Sequence, residues 1–307
     1  MTSWTIVGAG ALGCTFASLL VQSGQGVSLL MRDHYRGRFH PGIDFTDLKG
    51  RGHLIHTRRL FACDLMGQHD KIQRLLVTTK VFQIEEALSP LVGRICPEVP
   101  IILMHNGMGS VETVSRLFPD NPILQATTTN GALRSGPFIV RQTGGGETWI
   151  GAANAKARDC AEDILESLGS ALPHLDWSDQ IEERLWSKLA INCVINPLTA
   201  LHRCRNGDLL EDRFHDTLEQ LYDELFEVMK SEGLTIPRQQ IKRQVEMAIQ
   251  CTAENYSSMN RDLMLQRRSE IEQITGFVLS RAQRHGLRTP VNHQLYIDIK
   301  EKESSYV

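Results

Sequence analysis

The sequence predicts an α/β N-terminal domain over residues 1–178 followed by an all-α C-terminal domain over 179–307. Three observations carry this. An apolar strand, a glycine triplet and a helical period follow one another at the N-terminus. Strand and helix signals then alternate through the first half, and beyond Trp177 the hydrophobic period stays helical almost to the end. A chain of 307 residues is long enough for each domain to have its own core.

Trp4-Thr-Ile-Val7 reads as a short strand, and Gly8-Ala-Gly10-Ala-Leu-Gly13 follows at once. A helix is expected from Cys14 to Val21. In such a strand–turn–helix the first glycine permits the tight turn, the second lets the backbone approach a pyrophosphate, and the third lets helix pack on strand. The phosphates would rest on the free N–H groups of the new helix. Gly8, Ala9, Gly10, Ala11, Leu12 and Gly13 are therefore expected to form the loop of a Rossmann-type dinucleotide-binding domain.

The second strand, Gly26–Leu30, runs into Met31-Arg32-Asp33. If it stops at Met31, Arg32 meets a ribose 2′-phosphate and the cofactor is NADPH. If it runs two residues further, Asp33 takes a 2′-hydroxyl. Further strands are expected at Arg74–Thr79, ending in Lys80, and at Pro100–Met104, ending in His105-Asn-Gly-Met-Gly109. Helices should follow them, from about Gln83 to Val92 and from Val111 to Leu117. Gly8, Arg32, Lys80 and Asn106 all fall at carboxyl ends of strands, where such sheets bind ligands. Residues 122–151 read as antiparallel hairpins broken by Gly131, Gly136 and Gly144–Gly146, and a helix is expected over 157–168. His105 and Asn130 stand beside strand ends and fit either ligand contact or a turn.

The helical half holds the most informative stretch, Trp186–Ala200. As a helix it sets Lys188, Asn192 and Asn196 four residues apart on one face, with Leu189, Val194, Ile195 and Leu198 on the others. An ammonium and two carboxamides on a buried helix are costly unless each finds a partner. A small polar ligand would supply partners; an interdomain polar network is the other reading. Pro197 is expected to kink or end the helix. Thr252–Met259 offers hydroxyls and an amide suited to a carboxylate. Glu270 reads as opening an amphipathic helix with Ile271, Ile274, Phe277 and Val278 as its stripe, or simply as an exposed helix acid. On one ideal helix Ser258 and Glu270 would lie about 120° apart, so sharing a site requires a bend, expected near Asn260–Asp262. Asn206-Gly207 reads as a turn.

Thirty-six acidic and 33 basic side chains leave a net charge of −3, with no basic run, so nucleic acid is not an expected partner. No apolar segment approaches a membrane span, and a strand beginning at residue 4 leaves no room for a targeting peptide. Seven scattered cysteines without a C-x-x-C suit reduced thiols in a cytoplasm. The eleven histidines show no ligand spacing, so no metal is expected. The C-terminal helices could pair across a two-fold axis into a homodimer or fold on themselves.

G-A-G-A-L-G at 8–13, V-T-T-K at 77–80, H-N-G-M-G at 105–109, K-L-A-I-N-C-V-I-N-P-L-T-A at 188–200, N-G at 206–207, T-A-E-N-Y-S-S-M at 252–259 and E-I at 270–271 together resemble the ketopantoate reductase family, nearly end to end. The resemblance implies reduction of a 2-oxo acid with NADPH. It implies Lys188 as general acid, Glu270 placing substrate, and Asn106, Asn192, Asn196, Asn206 and Ser258 lining the substrate pocket. Lys80 and Gln83 match positions beside the cofactor, where Asn106 also falls, and Arg32 matches the 2′-phosphate ligand. The segment from about His34 to His56 departs from the family pattern. Two other functions fit the same build: a related NADP-linked 2-oxo or 3-hydroxy acid dehydrogenase, and a protein that senses NADPH without turnover.

Overall fold

The computed structural model describes residues 3–37, 41–65 and 72–306, and the chain divides into two compact units. The first comprises Met1–His105 and Ser110–Ile181. In chain order it carries β1 (Ser3–Val7), α1 (Ala11–Gln22), β2 (Gly26–Met31), β3 (Ile43–Thr46), β4 (Gly52–Ile55), β5 (Arg58–Phe61), β6 (Arg74–Val77), α2 (Ile84–Leu88), β7 (Ile101–Met104), α3 (Ser110–Leu117), β8 (Ile123–Thr128), β9 (Gly131–Gly136), β10 (Ile139–Gly144), β11 (Thr148–Ala152), α4 (Ala161–Gly169) and β12 (Leu175–Trp177).

Eight strands form the main sheet in the order β12-β11-β8-β7-β6-β1-β2-β5. The run from β5 to β8 is parallel throughout. Its order reverses between β1 and β6, the switch point at which open sheets of this kind bind ligands. Every residue of β6 and β7 is buried, as expected for central parallel strands covered on both faces. Arg74 opens β6 at 6% exposure, a burial made tolerable by a bidentate pair with Asp163 of α4, its Nε lying 2.9 Å from the carboxylate.

A second sheet, in the order β4-β3-β10-β9, was not legible in the sequence. β3 and β4 lie in the atypical 34–56 segment, of which residues 38–40 fall outside the described residues. β3 pairs in parallel with β10, a contact between distant parts of the chain that no local pattern announces. The hairpin reading of 122–151 holds for β8 with β11 and β9 with β10, but the two pairs belong to different sheets. The apolar side chains of α1 (Cys14, Phe16, Ala17, Leu20) share one core with Ile43, Phe45 and Val140 of the small sheet and with Ile6 and Leu29 of the large one. A helix covered on two faces is apolar nearly all round.

Three local expectations need correction. The helix expected over 83–92 shrinks to α2, flanked by 3-10 turns at Val81–Gln83 and Ser89–Leu91. Pro90 lacks the N–H that would continue the α-helical ladder and sits instead in the first turn of the 3-10 segment. The helix expected from 157 begins at Ala161, after a 3-10 turn at Ala155–Arg158. β12 was missed because three residues carry no period to read.

The second unit comprises Asn106–Gly109 and Glu182–Val307. Its helices are α5 (Ile181–His202), α6 (His215–Ser231), α7 (Arg238–Cys251), α8 (Ser258–Met264), α9 (Thr275–Arg284) and α10 (Pro290–Ser304). Trp186, Leu221, Tyr222, Val245, Ile249, Val278 and Ile299 lie in its core. The α10 N-terminus is satisfied by Glu224, whose carboxylate accepts from the N–H groups of Val291 (2.7 Å) and Asn292 (2.9 Å). The fold is thus an α/β unit of Rossmann topology followed by an all-α unit. Among the described residues no helix is long and apolar enough to cross a membrane.

Candidate functional site

The nucleotide end lies in the first unit. Gly8 follows β1 with φ +105°, and a Cβ there would come 2.8 Å from Thr79 N, so the turn presses against the chain leaving β6. A Cβ on Gly13 would lie 1.9 Å from the Gly8 carbonyl, a direct measure of how closely α1 packs on the turn. Gly10 differs: a Cβ there meets nothing within 4 Å. It caps α1 in extended conformation with no side-chain capping bond, so the first N–H groups of α1 are left to a ligand or solvent. Thr78 locks the turn from the other side, its hydroxyl donating to the Gly8 carbonyl at 2.9 Å.

β2 ends at Met31, which places Arg32 first beyond the strand, the condition under which it meets a 2′-phosphate. Arg32 is exposed and pairs loosely with Glu86 at 3.8 Å. Lys80 and Gln83 bracket the short turn after β6, both half-buried. Sequence reasoning missed Arg134, on β9 of the unforeseen small sheet, whose Nη1 donates to the Ala9 carbonyl at 3.4 Å. Asn130 braces a turn, its Nδ2 donating to Thr128 Oγ1 (2.8 Å) and to the Gly146 carbonyl (3.2 Å). His105 Nε2 lies 2.8 Å from Ser110 Oγ.

The catalytic candidates lie in the second unit. α5 runs 22 residues, about 33 Å, and carries Lys188, Asn192 and Asn196 on one face. Lys188 and Asn192 are half-buried and Asn196 is 5% exposed. Of the two outcomes expected at Pro197, a kink or an end, the end does not occur: α5 continues to His202. Thr199 helps: its hydroxyl lies 2.7 Å from the Ile195 carbonyl and 2.8 Å from Ser257 Oγ, and its burial anchors the last turns. Desolvation pulls the Lys188 ammonium well below the usual lysine range, to about 8, while the Glu270 carboxylate acts in the opposite direction.

Glu270 is buried at 7% exposure, not an exposed helix acid. Nor does it open a helix: it sits in a turn ahead of α9, its carbonyl accepting from Gln273 N (3.1 Å) and Ile274 N (3.0 Å). The break from Ser258 comes after Met264, where α8 ends, rather than at 260–262. The segment Asn106–Gly109 is pinned to this turn by Met108 N donating to the Gln273 carbonyl at 3.0 Å. Gly107 makes that approach possible, with φ +80° and a Cβ position only 2.7 Å from the same carbonyl.

Asn206 stands on a 3-10 turn. Its N–H donates to Asn255 O (2.9 Å) and its Nδ2 to Thr252 Oγ1 (2.8 Å), while its Oδ1 is buried without a protein partner. Ser258 is exposed at the start of α8, whose N-cap is Ser257. Asn260, read in the sequence only as part of a bend, ties these pieces together. It is 1% exposed, and its Nδ2 donates to the carbonyls of Thr199 and Cys204, each at 2.9 Å. One unit therefore holds Lys188, Asn192, Asn196, Asn206, Ser258, Glu270 and Asn106. Among the described residues no three His, Cys, Asp or Glu side chains gather as they would to hold a metal ion.

A glycine-loop unit of Rossmann topology, joined to a helical unit bearing a desolvated lysine beside a buried carboxylate, defines a two-domain dinucleotide-dependent oxidoreductase. The chain belongs to the ketopantoate reductase family: the family model ketopantoate reductase PanE/ApbA matches residues 4–155, and its C-terminal counterpart matches 180–303. It is 37% identical to a 2-dehydropantoate 2-reductase of Vibrio cholerae, covering 98% of both chains. With the enzyme of that name from Salmonella typhimurium it shares 36% identity, over 98% of this chain and 95% of that one. Among solved structures, a D-mandelate dehydrogenase bound to NADH and anilino(oxo)acetate superposes with a TM-score of 0.92 at 21% identity, covering 99% of both chains. A dimeric ketopantoate reductase from Staphylococcus aureus gives 0.83 at 22%, covering both chains fully. At such identities these likenesses speak to fold.

Proposed function

We propose that this chain reduces 2-dehydropantoate to pantoate with NADPH, a step of pantothenate and coenzyme A biosynthesis, with Lys188 as general acid. The observation that carries the chemistry is the Lys188–Glu270 pair beside two asparagines on one helix face. Near-full-length identity to reductases of that name supports the substrate.

The residues present fit a dinucleotide. Gly10 leaves open the space a Cβ would fill, and α1 lacks a side-chain cap. The loop Gly8–Gly13 would hold the pyrophosphate, Lys80 and Gln83 would flank it, and Arg32 would take the 2′-phosphate. That last contact favours NADPH over NADH. Bound NADPH supplies hydride to the ketone carbon.

Negative charge then develops on the substrate oxygen. The Lys188 ammonium stabilises it and gives up a proton, forming the alcohol and leaving a neutral amine that solvent reprotonates. A pKa lowered toward neutrality suits such transfer, and Glu270 keeps the proton from leaving too early. Ser258, Asn106 and Asn206 are neutral donors for the substrate carboxylate. Asn196 or Glu270 would hold the 4-hydroxyl, and a site built for that group can reject an analogue lacking it by about 10⁴. A non-catalytic NADPH sensor has no use for a proton donor.

Seven cysteines outside any disulfide suit a cytoplasmic enzyme, and a homodimer is the assembly to test first. The direct assay follows NADPH oxidation with 2-dehydropantoate, NADH in parallel and unhydroxylated branched 2-oxo acids as competitors. Saturable turnover preferring NADPH and 2-dehydropantoate is expected. Preference for another oxo acid would reassign the substrate, and tight NADPH binding without any turnover would point to a sensor.

A further inference from the structure

We propose that Glu303, near the end of α10, is a positioning residue for Glu270, holding the backbone just ahead of it so that its carboxylate stays against Lys188. The proposal rests on the reductase reading above.

Glu270 lies in the stretch between α8 and α9, where no helical ladder fixes the backbone. The local bonds from Gln273 N and Ile274 N hold its carbonyl from the C-terminal side, and a tertiary bond holds the chain from the N-terminal side. Glu303 Oε1 accepts from the N–H of Ser269, the residue before Glu270, at 2.7 Å. Ser269 Oγ in turn accepts from Ile271 N, the residue after it, at 3.2 Å. Ser269 is 1% exposed, Glu303 6% and Glu270 7%. A carboxylate so placed is costly unless its bonds are strong, and a charge-assisted bond to a buried amide is among the strong ones. Lys300, itself 41% exposed, is 3.8 Å from the other Glu303 oxygen. Burial raises the phenols of Tyr296 and Tyr306, the former also through its bond to Glu272, and the Glu303 charge adds to both.

Shifting Ser269 moves Glu270 relative to Lys188, and misplacement by about 1 Å can cost roughly 10²-fold in rate. Two variants separate reach from charge. Glu303→Asp keeps the charge but withdraws the acceptor by one methylene; Glu303→Gln loses the charge but keeps an oxygen in place. The expected result is a kcat loss of about tenfold to hundredfold in Glu303→Asp, with its pH midpoint moved to lower pH. Glu303→Gln should stay close to wild type, and both should melt near the wild-type temperature. Hydrogen exchange at the Ser269 amide, slow in wild type and Glu303→Gln but fast in Glu303→Asp, reads the bond without any turnover.

Unimpaired turnover and slow exchange in Glu303→Asp would overturn the proposal. So would a Glu303→Gln as damaged as Glu303→Asp, since charge and not reach would then matter. Should Glu303→Asp fail to fold, Ser269→Ala removes the Ile271 acceptor instead, and an unchanged kcat there counts against the proposal. Wild-type protein inactive on 2-dehydropantoate would refute the reductase reading, leaving the exchange measurement to decide on Glu303.

Discussion

Glu270, in the turn before α9, acts electrostatically on Lys188 of α5, although the two lie far apart in the sequence. Burial draws the ammonium down to about 8 and the carboxylate draws it back up. The balance leaves a lysine still protonated at neutral pH yet far readier to release its proton than a solvated one.

That balance sets a pH dependence. With Lys188 as the proposed general acid, reduction needs it protonated, so kcat should fall as pH rises through about 8. Glu270→Gln removes the influence that raises the value, so its falling limb should appear at lower pH. Steady-state kcat across pH 6 to 10 (about that range brackets the titration) checks both. A midpoint that does not move in Glu270→Gln would separate the two residues.

The glycines make a sharper contrast. Gly13→Ala forces a Cβ to within 1.9 Å of the Gly8 carbonyl and should destabilise the first unit by about 1–3 kcal/mol. Gly10→Ala meets no protein atom within 4 Å, so the melting temperature should hold. NADPH affinity should nevertheless drop about tenfold or more, equivalent to roughly 1.4 kcal/mol, because the methyl would occupy the approach proposed for the pyrophosphate. Thermal denaturation and fluorescence titration of each variant distinguish the two effects.

Arg32 and Arg134 should part company in the same titration. If Arg32 takes the 2′-phosphate as proposed, Arg32→Ala should lose a charge-assisted contact worth about 1.5–3 kcal/mol, weakening NADPH while leaving NADH almost untouched. Arg134, bonded to the glycine loop, should weaken both cofactors when replaced by alanine, more so at low salt. Equal effects of Arg32→Ala on the two cofactors would remove it from the 2′-phosphate.

The reading from sequence succeeded where the chemistry is local. β1, the glycine loop and α1 occupy consecutive residues, and the Lys188–Asn192–Asn196 face follows from one helical period. It failed where distant segments meet. β3 gains its place from β10, so the small sheet and Arg134 upon it were invisible. Ile271 and Ile274 mimic a helical stripe around Glu270, but the backbone there turns to receive Met108. Asn260 looked like a bend residue and is instead a buried clamp on α5 and Cys204. Pro197 reads as a kink or an end; the helix does not end there, and buried Leu198 and Thr199 lie on the turns beyond it.

The most direct measurement is turnover of Lys188→Ala with NADPH and 2-dehydropantoate, beside its NADPH dissociation constant. Loss of the general acid should lower kcat by roughly 10²–10⁴ while cofactor affinity stays near wild type, because the dinucleotide loop lies in the other unit. Wild-type turnover in Lys188→Ala would contradict the assignment.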